Sequence, residues 1–404
     1  MATATLEVAD IFRATGQRWR QAHAGHLSLD HLKVMSAIER CRTASLGGHV
    51  LRCTACDHTE ISYNSCRNRH CPKCQASSAL RWLEARQADL LPVEYYHVVF
   101  TLPEPVSAIA YYNKRVVYAM LFKAAAQTLL TIGADPKHLG ANLGLTLVLH
   151  TWGSSMTHHP HVHGIVPGGG LSRDGEHWIS CRRGFFLPVR VLSRLFRRLF
   201  YTYLLKAHTA GLLKFFGDYQ DLEEPSAFAR WMKPLRQVEW VVYAKKPFAG
   251  PEAVLAYLSR YTHRVAIANS RLLDFDGEQV QFKWKDYRAK EKDRHKTMTL
   301  EAGEFIRRFL LHILPSGFHR IRHYGLLSNA LRRKTIPTAR KLLNAPTEPE
   351  MNAPENLVNP ETASTDSEQP TYICTECGMP MVVIESLSHY HHQRAPPGLM
   401  DEKR

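Results

Sequence analysis

The chain has 404 residues, of which 45% are hydrophobic and 10% aromatic, and its formal net charge of +15 gives an isoelectric point near 9.4. This composition excludes a largely disordered chain and indicates a globular protein of two or three structural units. The excess of positive charge favours a polyanionic partner, most commonly nucleic acid.

The expected compartment is a reducing cytoplasm. The first residues, MATATLEVADIFRATGQ, lack the basic start and apolar middle of a signal peptide. Pro, His or a charged residue interrupts every apolar run before it reaches about eighteen residues, so we expect no membrane partner. In that compartment the nine cysteines are better explained as metal ligands or free thiols than as disulfides.

Residues 1–40 are predicted to be a helical segment without chemical function, and residues 41–91 a zinc-binding domain. The second unit contains two C-x2-C pairs separated by fourteen residues: Cys53 with Cys56, and Cys71 with Cys74. That is nearly the spacing of a zinc ribbon, in which four thiolates close a tetrahedron around one ion. The sequence therefore predicts one structural zinc bound by this quartet.

Other polar residues are interleaved with these pairs and leave two alternatives open. Four of them are either a second zinc site or a buried thiol with ordinary polar neighbours: Cys41, His49, Cys66 and His70. Three cations that crowd the second pair either contact DNA phosphates or form a solvated edge: Arg67, Arg69 and Lys73.

Residues 92–328 are predicted to be one α+β domain. The runs EYYHVVFTLP, LGLTLVLH and HVHGIVPG are typical of strands, with a further strand at 237–243, and helical spacing marks 105–132 and 188–211. The resulting order, strand, helix, strand, strand, helix, strand, helix, suits helices that pack against a central antiparallel sheet.

The most informative stretch of this domain, TLVLHTWGSSMTHHPHVHGIVPGGG, contains a histidine–hydrophobe–histidine (HUH) motif. Residues two apart on a strand share a face, so His161 and His163 can bind one divalent metal ion, with Gly164 leaving room beside them. If the two apolar runs pair as a hairpin, His150 faces the same side and is a third candidate ligand. The alternative is a well-solvated, histidine-rich turn without a metal.

A tyrosine pair follows in PEAVLAYLSRYTHRVAI, which begins with proline and glutamate as a helix does. Tyr257 and Tyr261 are four residues apart, which places both phenols on one helix face. A tyrosine hydroxyl beside a metal-polarised phosphate can attack phosphorus and form a phosphotyrosine ester. The alternative is that both rings pack in or beside the core. Arg260 and Arg264 flank the pair and either contact phosphate or only charge the helix surface.

Residues 283–296 supply seven cations, with Trp284 and Tyr287 among them. Interleaved aromatic and basic residues suit single-stranded DNA, whose bases stack on rings while cations contact the backbone. Lys283 and Lys285 are the first candidates for DNA contacts; the alternative is a solvated, charged hairpin.

The C-terminal region divides into two predicted parts. Residues 329–370 are expected to be a disordered linker that runs from basic to acidic, because its second half is rich in Pro, Glu, Ser and Thr. Residues 371–404 contain Cys374, Cys377 and three later histidines, a set that could form a small zinc knuckle of its own.

On these residues, the chain resembles the two-tyrosine HUH transposases of bacterial insertion sequences of the insertion-sequence-91 type. The resemblance spans about residues 41–327 and rests on SCRNRHCPKCQ, HTWGSSMTHHPHVHGIVPGGG and YLSRYTHRVAI, in the family's order. It implies a HUH endonuclease fold with an N-terminal zinc domain. It further implies that His161 and His163 bind catalytic Mg²⁺ or Mn²⁺ and that Tyr257 and Tyr261 are the nucleophiles. A separate similarity, to conjugative relaxases, makes His150 the third ligand.

The function that this resemblance implies is a DNA transposase that cleaves and rejoins single-stranded element ends and target DNA through 5′-phosphotyrosine intermediates, in rolling-circle transposition. Such an enzyme would act in the bacterial cytoplasm, on the nucleoid when bound to DNA. Two rival classes are a plasmid replication initiator or relaxase with the same chemistry, and a non-catalytic zinc-ribbon DNA-binding regulator. A covalent protein–DNA adduct separates the regulator from the others.

Overall fold

The structure is a computed structural model that describes residues 5–87, 89–245, 265–286, 289, 293–345 and 372–388. Its α-helices are α1 (Val8–Ala22), α2 (Leu29–Arg40), α3 (Pro72–Gln87), α4 (Glu104–Ala110), α5 (Lys114–Ala134), α6 (Val189–Thr209), α7 (Pro225–Leu235), α8 (Ala302–Leu311) and α9 (Arg332–Leu342). Short 3-10 turns lie at Ala44–Leu46, Gly217–Glu223 and Asn269–Arg271.

The strands form three sheets. They are β1 (Gly48–Cys53), β2 (Thr59–Tyr63), β3 (Tyr95–Thr101), β4 (Asn142–Trp152), β5 (His158–Pro167), β6 (Gly169–Leu171), β7 (Trp178–Ser180), β8 (Val242–Lys245), β9 (Leu272–Phe275), β10 (Gln279–Lys285), β11 (His295–Glu301), β12 (Ile321–Gly325), β13 (Tyr372–Ile373) and β14 (Pro380–Leu387). The central sheet has the order β8-β3-β5-β4-β12, with β6 and β7 added beside the start of β4. A small sheet has the order β9-β10-β11, and a four-stranded sheet the order β13-β14-β1-β2.

The two faces of the central sheet have different roles. Because side chains alternate along a strand, the leucines of β4 and the residues Tyr96, Val98 and Phe100 of β3 point to one face. They pack there against α5 and α6 in the main hydrophobic core. The opposite face carries His97, Thr101, His150, His159, His161 and His163. The fold class expected from the sequence, an α+β fold with helices against a central antiparallel sheet, is confirmed.

Gly164 belongs to the helix-covered face, which corrects its predicted role. A Cβ placed on it would lie 3.0 Å from the Leu147 side chain and 3.9 Å from that of Leu129. The missing side chain therefore makes room for the core and does not widen the site beside the histidines.

A second hydrophobic core joins the N-terminal helices to a later part of the chain. Residues of α1 and α2 pack there with α8 and the small sheet, and the rings of Phe12 and Phe309 meet edge to face at 5.3 Å. The predicted helical segment is two helices, because Gly25 adopts a φ of +84° between them and Ser28 caps the start of α2. The N-terminal unit is thus packed on the region that follows the predicted tyrosine segment.

Two expectations for the C-terminal region are wrong. Part of the predicted linker is the helix α9, whose Ile336 and Ala339 are buried against Leu91 and Leu326. The predicted separate knuckle instead contributes β13 and β14 to the sheet of the zinc-binding unit, where β14 pairs with β1. In addition, residues 265–267 do not form the expected short strand.

In the part of the chain that the structure describes, α5 has the length and apolar composition of a membrane span. Some 67% of its apolar stretch is buried inside the protein, where it packs against β4, β5 and α6. This position is that of a core helix.

Candidate functional site

The three histidines of the HUH stretch converge on the open face of the central sheet. His150 lies directly opposite His161 in the β4–β5 ladder, and His163 lies two residues further along the same face. One ring nitrogen from each of the three lies within 4.8 Å of the others. The predicted hairpin is therefore present, and its register brings the three imidazoles together.

Neighbouring groups orient each imidazole. The Nδ1–H of His161 donates to the carbonyl oxygen of His159 at 2.7 Å, which leaves Nε2 with its lone pair. A hydrogen bond of 2.7 Å joins His163 Nδ1 to His97 Nε2, and the two rings stack at 5.0 Å. The ring of His150 stacks on Trp152 at 4.6 Å. All three rings are thus fixed before any metal binds.

The buried position keeps the imidazoles of His161, His163 and His97 neutral. Burial lowers the pKa of His161 to about 4 and lowers the pKa of His163 well below its ordinary value. Burial, helped by Lys245, lowers the pKa of His97 to about 3. Near pH 7 each ring nitrogen without a hydrogen can therefore act as a metal ligand.

His97 is a site residue that the sequence reasoning missed. It lies on β3 at 2% exposure, 53 residues before His150. A lone histidine in an apolar strand is usually a satisfied core residue, so its identity alone carries no signal. Its position in the alternation of β3 is informative, because Tyr96 and Val98 face the core and His97 therefore faces the histidines.

The histidines open into a cleft of about 960 Å³, here called the histidine cleft. One wall is the open face of the central sheet, and the other is formed by Arg271 and the small sheet. The residues of the second wall that line the cleft are Arg271, Lys283, Trp284, Lys285, His295, Lys296 and Thr297. None of the described residues that line the cleft is acidic. Both predicted DNA contacts, Lys283 and Lys285, therefore face the three histidines.

The loop between β4 and β5 fixes the second wall to the first. The side-chain hydroxyl of Ser154 accepts a hydrogen bond from the backbone of Lys285, and its carbonyl accepts one from Arg271. Arg308 of α8 donates to the carbonyl of Ser155 at 3.1 Å. The loop that carries the histidine strands is thus tied directly to the cationic wall.

The remaining predicted DNA contacts have different positions. Arg67 is exposed. Arg69 donates to the backbone carbonyls beyond α8, those of Leu314, Pro315 and Phe318. Lys73 forms an ion pair with Glu7. Arg69 and Lys73 therefore contribute to internal packing rather than offering free charges to DNA.

The predicted nucleophiles Tyr257 and Tyr261, and the flanking Arg260 and Arg264, lie outside the described residues.

The cysteines form two clusters that differ from the predicted sets. The first cysteine cluster is Cys41, Cys66, Cys71 and Cys74, and the second cysteine cluster is Cys53, Cys56, Cys374 and Cys377. The predicted quartet is thus divided between two places, and neither His49 nor His70 joins a cluster. His49 contacts Ser386 on β14, and His70 is buried beside the backbone of Leu314.

Distances and backbone angles within the first cysteine cluster suit a tetrahedral metal site. The Sγ atoms of Cys41 and Cys66 each lie 3.6 Å from that of Cys74. Zn–S bonds of about 2.3 Å would separate thiolates by about 3.8 Å, whereas a disulfide would bring them to about 2.05 Å. Arg42 and Arg67, which directly follow two of the cysteines, have φ values of 55° and 50°. These left-handed residues turn the chain directly after Cys41 and Cys66, so that both thiols can point to the centre of the cluster.

Comparisons with known proteins agree with this arrangement. A family model described as "Putative transposase" matches residues 144–335, and one described as "Transposase zinc-binding domain" matches residues 11–102. The first range includes His150, His161 and His163, and the second includes the first cysteine cluster.

Two relatives extend over most of the chain. The "Putative transposase y4qJ" of Sinorhizobium fredii is 57% identical over 357 residues, which cover 88% of this chain and 89% of the relative. The "Transposase for insertion sequence element IS801" of Pseudomonas savastanoi pv. phaseolicola is 26% identical over 351 residues, which cover 86% and 82%. The chain therefore belongs to the insertion-sequence-91 type of transposases and carries their N-terminal zinc-binding domain.

Proposed function

We propose that this transposase cuts and rejoins single DNA strands in the histidine cleft, with a tyrosine as nucleophile and a 5′-phosphotyrosine as the intermediate of rolling-circle transposition. The observation that carries the proposal is the convergence of three imidazoles on a cleft whose opposite wall is cationic. A phosphate that enters this cleft meets potential metal ligands on one side and lysines on the other.

The donor set fits a divalent cation. His150, His161 and His163 offer three ring nitrogens, and the bonds that His161 and His163 make to their neighbours suit tautomers in which Nε2 carries the lone pair that a metal needs. A divalent metal bound there would polarise a non-bridging phosphate oxygen. Neutral nitrogen ligands match Mn²⁺ better than Mg²⁺, which prefers oxygen ligands. We therefore expect Mn²⁺ to support cleavage at lower concentration than Mg²⁺.

Covalent connectivity supports Tyr257 and Tyr261 as the nucleophiles. The chain enters their segment from Lys245, which lines the histidine cleft, and leaves it at Val265, which lines a small cavity together with Trp152. Four residues span at most about 14 Å, so Tyr261 is tethered within that distance of Val265. The segment thus starts at the lining of the histidine cleft and ends beside Trp152, whose ring stacks on His150.

The cationic wall would hold the DNA strand. Lys283 is exposed and Lys285 half-buried, both on β10 beside the Trp284 ring. Bases of an unpaired strand can stack on such a ring while lysines contact the phosphates, an arrangement that is tolerant of sequence. A double helix has its bases already stacked, so this wall favours single-stranded substrates.

The proposed step balances as a phosphoryl transfer. A tyrosine Oη forms a bond to phosphorus as the bond from phosphorus to the 3′ oxygen breaks, which leaves a 5′-phosphotyrosine and a free 3′-hydroxyl. The phenolic proton leaves Oη, and the departing 3′ oxygen takes up a proton. Because the ordinary pKa of tyrosine is about 10, deprotonation needs assistance, which nearby cations and a metal bound by the histidines would supply. Reversal of the step by a new 3′-hydroxyl rejoins strands without ATP.

An adduct assay tests the proposal. The protein is incubated with labelled single-stranded oligonucleotides from the element ends and Mn²⁺, and SDS-resistant protein–DNA adducts are measured. We expect adducts from the native protein, none from Tyr257→Phe/Tyr261→Phe, and a loss of about 100-fold or more from His161→Ala/His163→Ala. His138→Ala, which changes an exposed histidine after α5, is the matched control.

Two results would contradict the proposal. An adduct that persists in the double phenylalanine variant would mean another nucleophile. Specific DNA binding without any adduct would instead support the non-catalytic regulator. A plasmid initiator or relaxase would form the same adduct but only on origin sequences and not on element ends.

A further inference from the structure

The last strand that the structure describes completes the sheet of the zinc-binding unit. Strand β14 pairs antiparallel with β1 from Gly48 opposite Leu387 to Cys53 opposite Met381. This pairing joins residues more than 300 positions apart and lies outside both family matches on its C-terminal side. It brings the C-x2-C pair of the chain end to the C-x2-C pair that follows β1.

The two turns that meet there have the same local structure. In the first, Cys53 N–H donates to the carbonyl of His58 at 2.8 Å, and in the second, Cys374 N–H donates to that of Met379 at 2.8 Å. Each bond spans five residues. The residue after each second cysteine is left-handed, Asp57 with φ 54° and Gly378 with φ 74°. Two equivalent turns facing each other form the usual framework of a zinc ribbon.

The four thiols of the second cysteine cluster are close enough together to bind one metal ion. The Sγ atoms of Cys53 and Cys377 are 3.4 Å apart, and those of Cys56 and Cys374 are 3.7 Å apart. These separations are close to the edge of about 3.8 Å expected for four thiolates around zinc. Each close contact pairs one cysteine from either turn, so neither turn alone offers more than half of the site.

We propose that the second cysteine cluster binds a second structural zinc ion and that this ion holds β14 on the zinc-binding unit. Its two halves come from opposite ends of the catalytic domain. Four soft thiolates select zinc over the hard cations expected in the histidine cleft.

Strand β14 needs such an ion because it buries few apolar residues against the rest of the protein. Of the eight residues of β14, Met381 is buried and Leu387 half-buried, while the rest are exposed. The buried residues beneath the site, apart from two of the cysteines, are Leu51 and Met381, with Tyr372 partly buried. So little apolar area cannot offset the chain entropy of closing a loop this long, and metal binding would supply the difference.

The two clusters should lose zinc at different rates. In the second cluster Cys56 and Cys377 are exposed, whereas in the first cluster three cysteines are buried and Cys66 is half-buried. A chelator therefore reaches the second cluster first, and the earliest structural change should be release of β14 from β1.

Zinc content and hydrogen exchange of the full-length protein test this proposal. We expect two zinc ions per native chain and one per chain in both Cys374→Ser/Cys377→Ser and Cys53→Ser/Cys56→Ser. In both variants amide exchange should rise about tenfold or more in β1 and β14 and stay unchanged in β4 and β5. Cys181→Ser, which alters the one cysteine outside both clusters, should keep two ions.

Three outcomes would overturn it. One zinc ion in the native chain excludes a second site without reference to any variant. Native zinc content in Cys374→Ser/Cys377→Ser excludes the C-terminal ligands. If Cys53→Ser/Cys56→Ser and Cys71→Ser/Cys74→Ser each remove the same single ion, the four cysteines form one quartet as their spacing alone suggests.

Discussion

The histidine cleft and the cysteine clusters are two regions with metal-ligand geometry, built in opposite ways. The cleft takes its three imidazoles from adjacent strands of a sheet that packs on α5 and α6. The clusters take their thiols from turns and helix ends. The first cluster lies in the second hydrophobic core, which is separate from the core of the central sheet, and the second cluster has only a few buried residues beneath it. The comparison suggests that a metal in the cleft would serve chemistry on a finished fold, whereas zinc in the clusters would supply the folding energy itself.

The largest expected effect follows from the first cysteine cluster. Structural zinc contributes about 10–16 kcal/mol of apparent binding free energy in small domains, which is comparable with the stability of a whole domain. Cys71→Ser/Cys74→Ser should therefore unfold the N-terminal unit, because these thiols lie in the second core with α1, α2 and α8. Zinc analysis, circular dichroism and limited proteolysis measure this, with Cys181→Ser as control. A variant with the native melting temperature would show that zinc in this cluster does not supply the folding energy of the unit.

A smaller effect is expected for His97, whose variant should weaken metal binding without unfolding the sheet. Loss of a hydrogen-bond partner to a ligand histidine typically costs about 10–100-fold in metal affinity. His97→Ala should lower Mn²⁺ affinity by that factor, measured by calorimetry or electron paramagnetic resonance without DNA. His97→Gln, which can restore one hydrogen bond to His163, should recover part of it. Val99→Ala on the same face of β3 is the control; equal affinities in all four proteins would reject a positioning role.

The third prediction concerns His312, which directly follows α8 and is hydrogen-bonded to the Met156 carbonyl at 3.0 Å and to Thr151 at 3.2 Å. Burial lowers its pKa to about 3 from the ordinary value of about 6.5. The folded state keeps this ring neutral while the unfolded state gains a proton below pH 6.5. Its contribution to stability is therefore present above pH 6.5 and is lost as pH falls toward 3.

The expected loss from His312 is about 1.4 kcal/mol between pH 7.5 and pH 5.5. Urea denaturation at the two pH values measures it. His312→Gln should show a pH dependence smaller by that amount, whereas the exposed His138→Gln should match the native protein. An unchanged slope in His312→Gln would show that its ring does not titrate on unfolding.

The smallest effect per residue is expected on the cationic wall. Lys283→Ala/Lys285→Ala should weaken binding of a single-stranded oligonucleotide roughly fivefold per lysine. The slope of log K against log salt should fall by about 1.4, because each phosphate contact on a single strand contributes about 0.7. Fluorescence anisotropy at several salt concentrations measures both. Lys137→Ala/Lys206→Ala, two lysines remote from the cleft lining, should leave the slope unchanged.

Sequence reasoning succeeded where the relevant contacts are local. The period-two spacing of His161 and His163, and the short hairpin back to His150, determine which face the three share, so the convergence of these histidines could be predicted. His97 could not be, because nothing local distinguishes a buried histidine that serves a neighbour from one that only packs. Its role appears only when β3 is known to lie beside β5.

The same reasoning gave the wrong grouping of the cysteines, because their grouping depends on strand pairing between distant parts of the chain. Spacing suggested that Cys53, Cys56, Cys71 and Cys74 form one site, since that pattern is typical of a continuous ribbon. The structure divides them, because β1 pairs with β14 while Cys71 and Cys74 start α3 beside Cys41. The helix α9 was missed for a related reason. It contains Pro337 and many cations, and its formation depends on burial of Ile336 against distant residues.

The pairing of β14 with β1 also sets an order of events during synthesis. Cys56 leaves the ribosome 318 residues before Cys374, an interval of roughly 15–60 s at ordinary bacterial translation rates. During that interval the nascent chain carries an open edge on β1 and half of a thiolate site. Translation products that stop before residue 372 never close that edge, so premature termination would yield chains with the histidine cleft but with an incomplete N-terminal sheet.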